Sequence, residues 1–345
     1  MIRFGPSGIP LSCKGRTLED GVEDVHKLGL SAFEIQFLRP KVRTRPVEED
    51  EVGLKAKEVP GKFIIGVNRG RDYKEIFVED LDKELEPGDM THSITGGVAE
   101  DFFKFPKLAR LSKELDVKMA LHTPYYMKFT DKDTEPVEKS QRCFRYGAIM
   151  ADEVNADPVV THLGFKGDDE DDGDIEQAAV ENLRELRDWM SENCENDLKI
   201  GIETQTGEDI YGNLDETLEI CRQVSDTVPV INFAHVKVED RYPLESEEDF
   251  ADIFDMCSNF VQDEYYVNFS GVEERRKNEC RLTPIKRGDL HFEDLVDYLI
   301  ETEENINIIS TSPLKEHDAM YMKVIFERVY TREVGKELRR EREDE

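Results

Sequence analysis

Short apolar runs alternating with amphipathic helical stretches predict an α/β protein, a (β/α)8 TIM barrel with an insertion between its second and third strands. Eight β-branched runs recur through the 345 residues, at "IRF" near the start and then at 31–38, 117–122, 157–164, 198–204, 228–235, 265–271 and 306–311. Between them lie helical patterns such as "LEDGVEDVHKLG", "AEDFFKFPKLARLSKEL", "IEQAAVENLRELRDWMSENC", "LDETLEICRQVS" and "FEDLVDYLIETEE". Strand and helix alternate throughout, so the strands are expected to run parallel, and eight such units close naturally into a barrel. A doubly wound open sheet is the competing architecture. It usually carries a Gly-rich phosphate turn after an early strand, and none is evident here.

The first two runs, "IRF" and "SAFEIQFL", flank one helical pattern, as parallel neighbours require. The third comes late: the gap before "VKMALH" is about twice the others, and an insertion near 43–98 accounts for it. Within that stretch "GKFIIGVNRG" reads as an extra strand, so the insertion is expected to have structure of its own. The later runs, "DPVVTHLG", "LKIGIET", "VPVINFAH", "YYVNFSG" and "INIIST", return to barrel spacing. Residues 1–335 therefore read as a single barrel domain. The last stretch, 336–345, reads as a charged tail, a frayed and solvated helix end.

A formal charge of −32 argues against loose association with nucleic acid, whose affinity comes mainly from Lys and Arg neutralising phosphates. A solvated carboxylate surface is the plainer reading of so much acid, and contact with nucleic acid would have to come from local basic loops. Six cysteines (Cys13, Cys143, Cys194, Cys221, Cys257 and Cys280) stand apart with no C-x-x-C pair, which fits neither a disulfide framework nor a zinc ribbon. No run approaches the roughly 20 apolar residues of a membrane span, and "MIRFGPSGIPLSCKGRT" lacks the apolar core of a signal peptide. A reduced, cytoplasmic protein without a membrane partner is expected.

In such barrels the chemistry gathers at the C-terminal ends of the strands. The residues there are His122 after the third run, His162 after the fourth, Glu203 after the fifth, Asn232 and His235 at the sixth, Asn268 at the seventh, and Ser310 with Thr311 at the eighth. Two imidazoles and a carboxylate suit zinc or a similar divalent ion, with a position left open for water. A single tip histidine is as readily a rim residue as a ligand. His122, His162, Glu203 and His235 converging on one mouth is the pattern that points to a site. His26 on a helical pattern, His92 in the insertion, and His291 and His317 at helix starts read as surface or capping residues.

On these residues the chain resembles the endonuclease IV family, zinc-dependent abasic-site endonucleases with a xylose isomerase-like barrel. The carriers are "LHTPYYMKF", "VVTHLG", "IGIETQTG", "INFAH" and the "SP" after the eighth strand, in that order. The opening "GIPLSCKGRTLEDGVEDVHKLGL" is also similar to archaeal members. The resemblance implies that His122, His162 and Glu203 hold one metal, with Glu203 the residue on which catalysis depends. It also implies that ligands of a second metal are replaced by Asn232, Asn268 and Thr311 or Ser310. Of a third set only His235 survives, as a weaker ligand, with Cys280 and Leu282 where an Asp-x-His pair would fall. A neutral amide oxygen binds a divalent ion more weakly than a carboxylate does, so about one ion is expected, zinc with manganese as the alternative.

By the same resemblance Tyr125 lies near the substrate, and the basic loop "RPKVRTR", with Arg39, contacts DNA. Arg281 stands in a basic stretch with Arg275, Arg276, Lys277, Lys286 and Arg287; a solvated charge run is the plainer reading, and neutralising phosphate where metals are missing is the functional one. The acidic "KGDDEDDGD" following His162 opposes a phosphate backbone on its side. The implied activity is metal-dependent phosphodiester hydrolysis at abasic sites in damaged DNA. A catalytically inactive binding protein of the same fold is the alternative. A sugar isomerase or epimerase is less favoured, because it needs two proton-transferring groups and the strand tips offer Glu203 alone.

Overall fold

In the computed structural model, eight parallel strands form a nearly closed barrel with helices between them. The residues described are 1–37, 41–69, 75–76, 81–95, 99, 101–166, 172–239, 242–276, 279–302 and 304–344. The barrel strands are β1 (Ile2–Pro6), β2 (Ala32–Gln36), β3 (Lys118–His122), β4 (Val159–Thr161), β5 (Ile200–Glu203), β6 (Thr227–Asn232), β7 (Tyr265–Phe269) and β8 (Ile306–Ser310). From β2 to β8 each strand pairs with the next in sequence, and β8 pairs with β1, so spatial order follows chain order. The ring draws shut between β1 and β2. There the Ser31 N–H donates to the Phe4 carbonyl at 3.0 Å, and the Gly8 N–H donates to the Glu34 carbonyl at 2.8 Å. Gly5 permits that approach, since a Cβ at this position would stand 1.8 Å from the Ala32 carbonyl oxygen.

The outer ring comprises α1 (Leu18–Lys27), α2 (Lys104–Glu114), α3 (Thr134–Val154), α4 (Asp172–Asn193), α5 (Leu214–Gln223), α6 (Glu247–Cys257), α7 (Phe292–Thr302) and α8 (Glu316–Asp344). Three of these begin with reciprocal capping boxes, Thr17 with Asp20, Asn213 with Glu216, and Ser246 with Asp249, which satisfy helix-end N–H groups that would otherwise be orphaned. In α8 the buried residues Ala319, Met322, Ile325 and Val329 recur at helical spacing, which docks its first half against the barrel. The helix then continues through residue 336 to Asp344, so the stretch expected as a tail prolongs α8. Glu, Lys and Arg, which make up most of this stretch, are good helix formers.

Packing divides into two layers. Outside the strands, aromatic side chains interlock: Phe233 sits 5.1 Å from Phe250 and 6.1 Å from Phe269, and Phe254 stacks on Tyr298 at 4.6 Å. Inside the barrel, Ala32, Ala120, Val160, Val230, Tyr266 and Ile309 make a separate small cluster. Ala120, Val160, Val230 and Tyr266 lie two residues before His122, His162, Asn232 and Asn268. The strand period of two therefore stacks these polar tips directly above the apolar plug.

Between β2 and α2 the chain forms a four-stranded antiparallel sheet, in the order Lys41–Pro46, Met90–Thr95, Phe63–Asn68 and Glu75–Ile76. Phe63 anchors it, with its ring 4.8 Å from Phe102 and 5.1 Å from Phe105 on α2. Burial opposes the charge on Glu51, but hydrogen bonds from Arg45 and Lys62 prevail and hold its carboxyl down to about 2.

One boundary departs from expectation. The apolar run 228–235 does not continue as strand: β6 ends at Asn232, and Phe233–Val238 is helical. Asn232 caps the new helix by accepting the Ala234 N–H at 3.2 Å, a role its short amide suits. Phe233, Ala234, Val236 and Val238 are all buried, and a continuous apolar run cannot distinguish buried strand from buried helix.

All six cysteines are unpaired. Among the described residues no helix is long and apolar enough to cross a membrane.

Candidate metal centre

His122 closes β3 with its Nδ1 2.6 Å from the Thr123 carbonyl, so that nitrogen carries the proton and Nε2 faces inward. There Nε2 lies 2.6 Å from Oε2 of Glu203, the last residue of β5. His162, just past β4, places its own Nε2 2.8 Å from the same oxygen. Its Nδ1 is 3.0 Å from the Gln205 carboxamide nitrogen and 3.3 Å from the Tyr125 carbonyl. The two imidazoles stand edge to face, 4.9 Å between centroids.

The other oxygen of Glu203 is also engaged. Oε1 accepts from the Asn232 amide at 2.8 Å and from the Asn268 amide at 3.0 Å. Register brings these two asparagines together, because they are Cα partners across β6 and β7.

Burial opposes charge throughout this group. For Glu203 the His162 and His122 imidazoles outweigh it and hold the carboxyl well below the usual carboxylate range. Burial would also lower His122, but its hydrogen bond to Glu203 and the charges of Glu203 and Glu34 raise it to about 9. Without a metal, then, imidazolium and carboxylate neutralise each other. His235, where burial dominates, is lowered.

One ligand atom each from His122, His162 and Glu203 lies within 4.8 Å of the others, and among the described residues this is the only such group of three. Two imidazole nitrogens and a carboxylate oxygen are the donor set of an open zinc site, so the residues fit a divalent ion. His235 is outside that group. It sits on the short helix after β6 with its Nδ1 2.7 Å from the Thr204 carbonyl. Ser310 Oγ, Thr311 Oγ1 and Asn268 Oδ1 are buried without a hydrogen-bond partner.

Other expected residues are dispersed. Tyr125 is 51% exposed and packs edge to face on Tyr126 at 5.5 Å, beside the triad through its carbonyl. Arg281 is exposed and Leu282 half-buried on an antiparallel hairpin, Gly271–Arg276 with Glu279–Thr283, that follows β7. Lys286 places its ammonium 4.2 Å over the Tyr321 ring. His92 lies on the inserted sheet, its Nδ1 2.9 Å from Thr44 Oγ1, and His26 meets the Leu115 carbonyl at 3.0 Å. Arg39, Lys277 and residues 167–171, with the acidic run 168–171, lie outside the described residues, as do the side chains of Arg275 and Arg276.

Sequence reasoning passed over Glu34. It is fully buried on β2, where it accepts from the Tyr266 hydroxyl at 2.8 Å and from the Gln36 carboxamide, and burial pushes its carboxyl up. The signal was present in "AFEIQ": Ala32, Glu34 and Gln36 alternate with apolar Phe33 and Ile35, and Ala32 belongs to the barrel plug.

A family model described as xylose isomerase-like TIM barrel matches residues 70–320. No curated protein matches. Among solved structures, a D-tagatose 3-epimerase-like protein is 14% identical with a TM-score of 0.60, over 96% of this chain and 99% of that one. Endonuclease IV from Thermus thermophilus is 17% identical with a TM-score of 0.55, over 95% and 99%. D-psicose 3-epimerase from Clostridium cellulolyticum, solved with D-tagatose, is 9% identical with a TM-score of 0.54, over 94% and 99%. At these identities the likeness is one of fold.

Proposed function

We propose that this chain, which belongs to the xylose isomerase-like TIM barrel family, is a metal-dependent phosphodiester hydrolase that acts at abasic sites in DNA and works with a single divalent ion. The observation that carries the reading is the meeting of His122, His162 and Glu203 at the barrel mouth with both Glu203 oxygens engaged. When bound, a divalent ion, zinc or manganese, supplies activation of water and neutralisation of phosphate charge. His122 and His162 would hold it, and Glu203 would complete the set. Tyr125, whose carbonyl reaches His162, carries an exposed ring that offers a stacking face for a base. The exposed Arg281 supplies positive charge for the phosphate, and Arg39, which lies outside the described residues, would by the resemblance add to it.

Fold likeness to sugar epimerases favours a second reading, but the chemistry of the mouth speaks for hydrolysis. Epimerisation needs groups free to take and return protons. Glu203 is tied on both oxygens, and Glu34 is sealed among Tyr266 and Gln36. The test is nicking of a duplex with one abasic site by the zinc-loaded or manganese-loaded protein. Wild-type nicking that Glu203→Gln abolishes is the expected result. Equal nicking by the variant, or none by the loaded wild type, overturns the proposal. Duplex binding without turnover would then indicate an inactive binding protein, and turnover of a ketose an epimerase.

A further inference from the structure

The two oxygens of Glu203 meet different kinds of group. Oε2 faces the Nε2 atoms of His122 and His162, while Oε1 accepts two carboxamide N–H groups, from Asn232 at 2.8 Å and Asn268 at 3.0 Å. Glu203 is 4% exposed, Asn232 1% and Asn268 0%, so water does not compete for these bonds. The orientation of both amides is specified. Asn232 Oδ1 is committed to the Ala234 N–H, and Asn268 keeps its N–H on Glu203 although its own Oδ1 is left buried without a partner. Turning either amide over would set a carbonyl oxygen against a carboxylate oxygen.

We infer that Asn232 and Asn268 form an amide clamp that closes Oε1 of Glu203 to metal and restricts this mouth to one divalent ion. The inference rests on the metal-site reading given above. Two N–H dipoles direct their positive ends at the place from which a second cation would have to approach Oε1. They also fix the carboxylate plane, which presents Oε2 between the two imidazoles. The clamp therefore orients one ligand oxygen and withholds the other.

Aspartate is nearly the same shape as asparagine but has no N–H to give. Asn232→Asp with Asn268→Asp would replace both N–H donors facing Oε1 by carboxylate oxygens, a cluster of anionic oxygen donors of the kind that holds a divalent cation. The double variant is therefore expected to take up one more ion than the wild type.

The experiment is metal stoichiometry by elemental analysis and calorimetric titration of the full chain, with zinc and then manganese. The expected result is one ion in the wild type and two in the double variant, with melting temperature rising on the second addition. Two ions in the wild type, or no gain in a folded double variant, overturns the clamp. Should the double variant fail to fold, Asn268→Asp alone carries the same comparison. The side-chain amide resonances of Asn232 and Asn268 supply an independent reading: they should move on Glu203→Gln and stay nearly unmoved on zinc addition. Collapse of both resonances on zinc addition would show the metal displacing the amides and would sink the inference. One ion without nicking removes the hydrolase reading and leaves the clamp standing, whereas no ion at all removes both.

Discussion

The Nε2 of His122 lies 2.6 Å from Oε2 of Glu203, an ion pair buried in the barrel mouth. At the proposed metal site a proton and a metal would compete for the same nitrogen. Several expectations follow from that competition and from the packing that holds it.

In the metal-free chain His122 is raised to about 9 from an ordinary 6.5, against the pull of burial, chiefly by its hydrogen bond to Glu203. A group raised on folding contributes stability that is fully present below its unfolded value and lost as pH rises through the folded one. Glu203, held well below the ordinary 4.5, contributes above that value and loses its contribution only in stronger acid. The melting temperature of the metal-free protein should therefore fall between pH 6.5 and 9. Zinc affinity should rise over the same interval, since a ligating imidazole must be neutral. Calorimetric melts of the chelated protein check the first trend. A level melting temperature would exclude the ion pair as a source of stability.

Replacing Glu203 with Gln would remove the one carboxylate of the proposed donor set and leave two amides facing a neutral carboxamide. Supporting partners of ligands alone are worth about 10- to 100-fold in metal affinity, so loss of this ligand should cost at least about 100-fold. Competition against a fluorescent chelator measures it, and unchanged affinity would mean the ion sits elsewhere.

Tyr125→Ala should leave metal content unchanged, because the ring is exposed and only the Tyr125 carbonyl reaches His162. Stacking of one base is worth about 1–3 kcal/mol, so abasic-duplex affinity should fall by roughly 5- to 150-fold. Fluorescence anisotropy on labelled duplex would record it. An undiminished affinity would remove Tyr125 from the substrate path.

Gly5→Ala tests the barrel seam. The added Cβ would meet the Ala32 carbonyl at 1.8 Å, and backbone on both sides has to give. Overpacking of this kind costs about 1–3 kcal/mol, and the seam beside Glu34 should open with it. Urea unfolding reports the loss. An equally stable variant would mean that β1 and β2 are free to separate.

Much of the architecture could be read before any coordinates, for a physical reason. Parallel barrel strands are buried on both faces, so they appear as compact apolar runs, and helices on the outside show a 3.6-residue stripe. His122, His162 and Glu203 were legible because the end of a buried strand is a place where a polar residue needs a reason. "VPVINFAH" was misjudged past Asn232 because its apolar residues fill a strand and a short buried helix equally well. Glu34 went unnoticed because a lone acid in an alternating run looks like a solvent-facing position until the barrel closes over it.

Order along the chain carried the (β/α)8 plan and the presence of two imidazoles and a carboxylate on neighbouring strand ends, since both are local properties of pattern and spacing. Which atoms meet was decided in three dimensions. That Oε2 of Glu203 serves both imidazoles, that Oε1 belongs to Asn232 and Asn268, and that His235 stands aside on a helix depend on strand register and on contacts between residues 29 to 81 positions apart. Interactions of that reach leave no periodic trace in a sequence, because their geometry exists only once the barrel has closed.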